Sequence, residues 1–359
     1  MEFINQSAFI ADKSIGSTSD IEQVMTVSLK LTLTWDDAGN TYSLPKDAWW
    51  PLNHAAADYA GVALNPDFDY RRRHVDLIVF GKARTPGRQA LQSMQVRVSS
   101  GQFSRGYTVT GDRSWKQNGR DWAASAPLPF ESMPLTNDRA FGGAYVGEAG
   151  ACAYPMNPSG KGFALSDTKL DAVQLPNIER PESLITSWKD QPVPACFHKP
   201  LGGLLLSTTG ASSWEGLVAT NKGNEIDRNA WGKVMLRSSI PQSPPDFVVP
   251  RGGLGSNLTL SGFSHHGDMQ IALPVEQAVP DHAGPTVRVE VGASKSCFPL
   301  AISSLLFVVE QRLLVVLYSA SFRYGIYPGE VRNSTLTWSG DREFGQAQAG
   351  VSQRVTHGR

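Results

Sequence analysis

Cysteine is scarce in this chain. There are three, Cys152, Cys196 and Cys297, far apart and with no Cys-x-x-Cys pair. That spacing excludes a zinc knuckle and a thiol redox motif, and predicts free, buried, reduced thiols in a cytosolic protein. Charge of one sign is also lacking: 33 Lys and Arg against 33 Asp and Glu give a formal net charge of zero. Broad nonspecific attraction to nucleic acid or to an anionic membrane is therefore not expected. Long apolar runs are missing too. Leu313 to Leu317 is far too short to span a bilayer. At the start, Glu2 and Asn5 occupy the place of a basic region and Phe9-Ile10-Ala11 is too short for a signal core, so no secretory signal is expected. Without such a route the triplets at Asn5, Asn257 and Asn333 carry no glycosylation meaning. The expected location is cytoplasmic.

What the chain does have is alternation. Val27, Leu29, Leu31, Leu33 and Trp35 alternate with Ser28, Lys30, Thr32 and Thr34, the period of a strand with one buried and one wet face. Asp37-Ala38-Gly39-Asn40 supplies a turn, and Tyr42–Leu44 can return as its partner. Pro45 to Pro66 reads as loop, with Trp49-Trp50 tucked onto the core. Val75 to Ala83 reads as a buried strand. Met94–Val98 and Tyr107–Val109 flank Ser99-Ser100-Gly101 as a hairpin. Leu258–Leu260, Met269–Leu273 and Val287–Val291 each alternate as well, and Ile302–Val309 and Leu313–Tyr318 flank Glu310-Gln311-Arg312 as a second hairpin candidate. Ser212–Ala219 and Glu225–Leu236 are weak helix candidates, and Pro241–Pro250 reads as an extended linker. The polar stretch from Gly325 reads as a loose tail. These patterns predict a mainly β protein of packed antiparallel, sandwich-like sheets with few short helices. The organisation read from them is a β region over 1–128, a central segment over 129–200, a connector over 201–250, a second β region over 251–340 and a tail over 341–359.

The central segment is unlike the rest. It is dense in Pro and Gly, lacks either period, and is too rich in Phe, Trp, Tyr and Leu to be a disordered linker. Such a run is a defined irregular path. Within it Ser159-Gly160-Lys161-Gly162 lacks the upstream glycine, the Ser or Thr after lysine and the strand-to-helix context of a phosphate loop, so a glycine-rich turn is the better account. Gly262-Phe263-Ser264-His265-His266 lacks the second glycine of a nucleophile elbow. His265 and His266 cannot both face one metal from a strand, and with Asp268 they read as a polar hairpin tip. Arg71-Arg72-Arg73-His74 reads as a solvated entry to the next strand. Arg139, beside Phe141-Gly142-Gly143, can pin the irregular stretch through Asp112, Asp138 or Asp190, or can offer its fork to a partner. Trp188 and Phe197 read first as lids on a core and second as interface anchors. No paired carboxylates, nucleophile–base pair or ligand cluster stands at a diagnostic spacing, and no cofactor is expected.

The order Pro129-Phe130, Met133-Pro134-Leu135, Arg139-Ala140-Phe141-Gly142-Gly143, Asn157-Pro158-x-Gly160-x-Gly162-Phe163, Leu175-Pro176-Asn177-Ile178-Glu179-x-Pro181 and Trp188-x-Asp190-x-Pro192-x-Pro194 is specific as a set. It resembles the bacterial domain-of-unknown-function family 2169, which is found beside type VI secretion genes. Asn137-Asp138 stands where the resemblance implies an aromatic–acidic pair. The resemblance implies a non-enzymatic adaptor or chaperone whose partners are a type VI effector and a PAAR-like spike-tip protein, with the trimeric spike protein beneath. Phe130, Arg139, Phe141, Asn157, Phe163, Trp188 and Phe197 are then the candidate motif and partner-contact residues, and Gly142, Gly143, Gly160 and Gly162 the structural glycines. The rival reading is an enzyme or small-ligand module on the same β scaffold, which a deep pocket with convergent polar groups would favour.

Overall fold

The computed structural model describes residues 1–17, 22–55, 57–68, 74–147, 150–167, 170–200, 226–228, 234–236, 243–274, 284–325 and 331–338. Within them the protein is mainly β, and every helix is a single 3-10 turn of three residues. The sheets are mostly antiparallel and packed on one another.

A seven-stranded main sheet is built around Glu22–Trp35. One neighbour is Leu313–Gly325, antiparallel and in register from Thr34↔Leu313 to Glu22↔Gly325; the other is Ile10–Ser17. Ala301–Val308, His74–Phe80 and Val248–Pro250 continue the sheet, with Ala301–Val308 and His74–Phe80 parallel. Strands from both ends of the chain therefore lie side by side in one sheet. Thr41–Ser43 returns onto Leu33–Trp35 as the turn residues predict. A five-stranded sheet contains the hairpin Ser93–Ser100/Phe103–Thr110 together with Asn257–Ser261, Met269–Ala272 and Ile178–Glu179. A four-stranded sheet contains Glu2–Asn5, Arg332–Thr337, Thr286–Val291 and Ser294–Pro299.

Alternation explains the packing. Met25, Val27, Leu29, Leu31, Leu33 and Trp35 face one core with Leu77, Val79, Leu305 and Phe307. The five-stranded sheet adds Val96, Val98, Tyr107, Leu258 and Leu260 to it, and the four-stranded sheet adds Val287, Val289 and Leu336. The intervening residues Ile78, Leu306, Val308, Leu313 and Val315 face the other way, under Trp50 and Tyr59.

The polar face of Glu22–Trp35 is not wet. Ser28, Lys30 and Thr32 are buried on it. The loop after Pro45 folds across and satisfies them: Lys30 Nζ donates to the Pro51 carbonyl at 2.7 Å and pairs with Asp67 at 2.5 Å. Ser28 Oγ donates to the Asp67 carbonyl at 2.7 Å, and Trp50 N–H donates to Thr32 Oγ1 at 2.9 Å. The loop supplies partners that period-two alternation cannot reveal.

Other expectations are corrected. The strand expected over Val75–Ala83 breaks at Gly81, and Lys82–Arg84 pairs instead with Ser132–Pro134. Pro241–Pro250 is no linker. Its described part makes a 3-10 turn, Pro245–Phe247, that drops Phe247 into the main core, and the β-branched Val248-Val249 then joins the main sheet. Ile226–Arg228 and Val234–Leu236 form an antiparallel pair where a helix was expected. The polar stretch after Gly325 contains the strand Arg332–Thr337, whose Leu336 is buried. Cys196 is buried, and burial pushes its thiol pKa up to about 12, but Cys152 and Cys297 are exposed. Ser212–Ala219, Arg71–Arg73 and the tail over 341–359 lie outside the described residues. No described helix is long and apolar enough to cross a membrane.

Candidate functional site: a second core built from the motif segment

The central segment folds back on itself. Phe141–Gly142 and Lys161–Gly162 make a short parallel pair, in which Lys161 N–H donates to the Ala140 carbonyl at 3.0 Å and Phe163 N–H to the Gly142 carbonyl at 2.9 Å. Phe141, Tyr154, Phe163, Leu170, Leu175 and Ile185 bury a separate apolar cluster with Trp115, and Trp188 packs on it half-buried. Phe141 meets Tyr154 edge-on at 4.9 Å between ring centres. The two-stranded hairpin Trp115–Asn118/Asp121–Ala124 supplies one wall through Trp115.

Glycine is needed here for space as well as conformation. Gly142 and Gly143 have φ of +146° and +100°, and Gly162 has +100°. A Cβ on Gly142 would stand 2.0 Å from the Asn157 carbonyl oxygen, and one on Gly143 would stand 2.5 Å from that of Gly160. A Cβ on Gly160 would reach 2.5 Å from the Asn157 amide nitrogen. The two strands touch backbone to backbone, so side chains are excluded.

Two buried asparagines replace the sheet ladder. Asn157 is fully buried. Its Nδ2 donates to the carbonyls of Asn137 at 2.7 Å and Phe141 at 3.0 Å, and its own carbonyl accepts from Gly143 N–H at 2.9 Å. Asn177 is equally buried. Its Nδ2 donates to the Thr110 carbonyl and to Asp112 Oδ1, both at 2.9 Å, while its Oδ1 accepts from Arg139 Nη1 at 3.1 Å. Asn177 thus fastens the motif segment to the strand Phe103–Thr110.

Arg139 is held by that bond, by a contact of Nη1 with Met133 Sδ at 2.9 Å, and by Asp112 Oδ1 at 3.7 Å. Of its three candidate partners only Asp112 forms an ion pair with it. Lys161 Nζ lies 3.9 Å from the same Asp112 oxygen. Burial, followed by the nearby Arg139 charge, depresses the Lys161 pKa, with Asp112 and Asp138 opposing. Asp190 closes the turn that carries Trp188. Burial alone would raise its pKa, but its carboxylate accepts the N–H groups of Thr186 at 2.9 Å and Ser187 at 2.8 Å, and the balance lowers it.

The structure splits the sequence-read residues. Phe141, Asn157, Phe163 and Trp188 come together with the four glycines, and Arg139 stands at their edge. Phe130 and Phe197 belong to the main core instead. Phe197 packs among Tyr107, Phe247 and Phe263. Next to it, His198 is buried against the Phe80 ring at 4.8 Å, with Asn137 Nδ2 2.9 Å from its Nδ1. Burial lowers the His198 pKa to about 4. His198 was not singled out in the sequence; Asn137 was noted only as a departure from an aromatic–acidic pair, and Asn177 only as a member of the motif set, neither with a role. The signal available was a polar residue inside an apolar run, as in Pro176-Asn177-Ile178. Four of the eight exposed large apolar side chains among the described residues, Met156, Leu165, Leu184 and Val193, sit on this segment. His265 is spent locally, its Nδ1 2.7 Å from the Thr85 carbonyl, and no described group of three His, Cys, Asp or Glu side chains could hold a metal ion.

Mainly antiparallel sheets carrying a glycine- and asparagine-fastened irregular lobe define the class of protein. The chain belongs to domain-of-unknown-function family 2169, an uncharacterized protein family conserved in bacteria, whose model matches residues 20–201. That span covers the long central strand and the whole motif segment. No curated protein and no solved structure gives a significant match.

Proposed function

We propose that the protein is a non-enzymatic adaptor that binds a type VI secretion effector and helps load it onto a PAAR-like spike tip. The observation that carries this reading is the ordered motif set from Pro129 to Pro194, which resembles a family found beside type VI secretion genes. The lobe built by that set supports it physically. The segment leaves Met156, Leu165, Leu184 and Val193 exposed to solvent. Exposed apolar side chains concentrated on one segment suit recognition of another protein. Binding the loadable state of a cargo stabilises that state by mass action.

Deletion of the gene tests the reading. Effector abundance or delivery is expected to fall while secretion of the inner tube protein persists. Unchanged delivery, or loss of tube secretion itself, overturns it.

A further inference from the structure

The geometry points to an anion seat at Arg139 and Lys161 that takes a carboxylate from an acidic side chain of a protein partner. This deepens the adaptor reading, on which the source of the carboxylate rests. Both cations lie on the motif lobe and converge on one point, their nitrogens 3.7 and 3.9 Å from Asp112 Oδ1. Neither separation is a hydrogen bond. Asp112 Oδ1 already accepts from Asn177 Nδ2 at 2.9 Å, and the Asp112 side chain is 60% exposed. Asp112 therefore sits at the rim rather than in the grip of the two cations.

The cations themselves are fixed and under-used. Nη1 of Arg139 is held by Asn177 and Met133, which orients the guanidinium plane. Its Nε and Nη2 make no hydrogen bond to the described residues, nor does Lys161 Nζ. Lys161 is placed by the strand pairing of Lys161–Gly162 with Phe141–Gly142, and its side chain is only 19% exposed. Two partly desolvated cations with spare donors, facing one rim carboxylate, form a preorganised acceptor for one more. Asp112 and the exposed Asp138 flank the seat, so a singly charged carboxylate is favoured over a phosphate dianion. The four exposed apolar side chains of the same lobe favour a carboxylate presented on a protein surface over a free small acid.

The probe is a fluorescent, C-terminally amidated peptide with one glutamate among leucines, measured by anisotropy on the full chain at low salt. A matched peptide carries glutamine. The wild-type protein is expected to prefer the glutamate peptide at least tenfold. Lys161→Gln should abolish that preference without lowering the urea midpoint, and Asp112→Asn should tighten glutamate binding several-fold by removing the resident charge. Succinate should compete only at concentrations well above the peptide, and inorganic phosphate less well still. No glutamate preference in the wild type, a preference retained in Lys161→Gln, weaker binding in Asp112→Asn, or phosphate outcompeting succinate would each overturn the seat. Capture of the effector encoded beside the gene by wild-type protein is scored separately, so the seat can fall while the adaptor reading stands. A seat that binds peptide in a protein that captures no effector removes the adaptor reading alone.

Discussion

In the sheet core the backbone's donors and acceptors are consumed by long ladders, as where Leu313–Gly325 pairs with Glu22–Trp35 residue by residue. In the motif core the longest ladders join four residues, and the Phe141–Gly142/Lys161–Gly162 pair joins only two. There Asn157 and Asn177 bind carbonyls that no neighbouring strand reaches. Both regions bury aromatic and aliphatic side chains. They differ in what a single substitution removes: volume or paired charge in the sheets, backbone geometry in the lobe.

The sharpest break on the sheet side is Asp67→Ala. It removes the carboxylate paired with the buried Lys30 ammonium, and such losses cost about 3–5 kcal/mol. A urea melt measures this, and Lys30→Met in the same chain should recover part of the loss. On the lobe side, Gly143→Val places a β-branched residue at φ +100° with its Cβ 2.5 Å from a backbone oxygen. Strain of that kind and overpacking each cost roughly 1–3 kcal/mol. The urea midpoint should fall clearly, and wild-type stability in this variant would erase the distinction between the two regions.

How much of this contrast was legible follows from the same difference. Period-two alternation exposed the strands around Leu31, Val96 and Leu258, because each residue's face depends only on its neighbours, and the polar Glu310-Gln311-Arg312 between two apolar runs exposed the hairpin around Leu305. It misassigned the Ser28–Lys30–Thr32 face, since the loop covering it is remote and irregular. It could not show that the lobe has a core of its own. Phe141, Phe163 and Trp188 sit at no regular spacing, and their convergence depends on turns at Gly142, Gly143 and Gly162. The motif set marked these residues without saying which core each served. Phe197, read alongside Trp188, proved to belong to the other one.

The seam between the regions gives the smallest effect and a pH signature. His198 lies where the lobe meets Phe80 of the main sheet. Its pKa is about 4 in the folded protein, below the ordinary 6.5. The unfolded chain therefore binds the proton first as pH falls. Stability from this group is intact above pH 6.5 and declines from there toward pH 4, at up to about 1.4 kcal/mol per pH unit. Urea melts at pH 7, 6 and 5 should show the decline, and His198→Gln should flatten it. An unchanged slope in that variant would place the proton elsewhere.

The pairing of Glu22–Trp35 with Leu313–Gly325 also sets a clock on synthesis. Thr34 and its partner Leu313 are separated by roughly 280 positions, so at ~5–20 residues per second the first waits tens of seconds for the second to leave the ribosome. Through that interval a strand carrying Val27, Leu29, Leu31 and Leu33 has one ladder open. Ile10–Ser17 and the short Thr41–Ser43, from its own end of the chain, are available to cover the other side. The nascent chain is therefore most exposed to wrong pairing before its last strands are made, and slowed translation of the final third should lower the yield of folded protein more than slowed translation of the first.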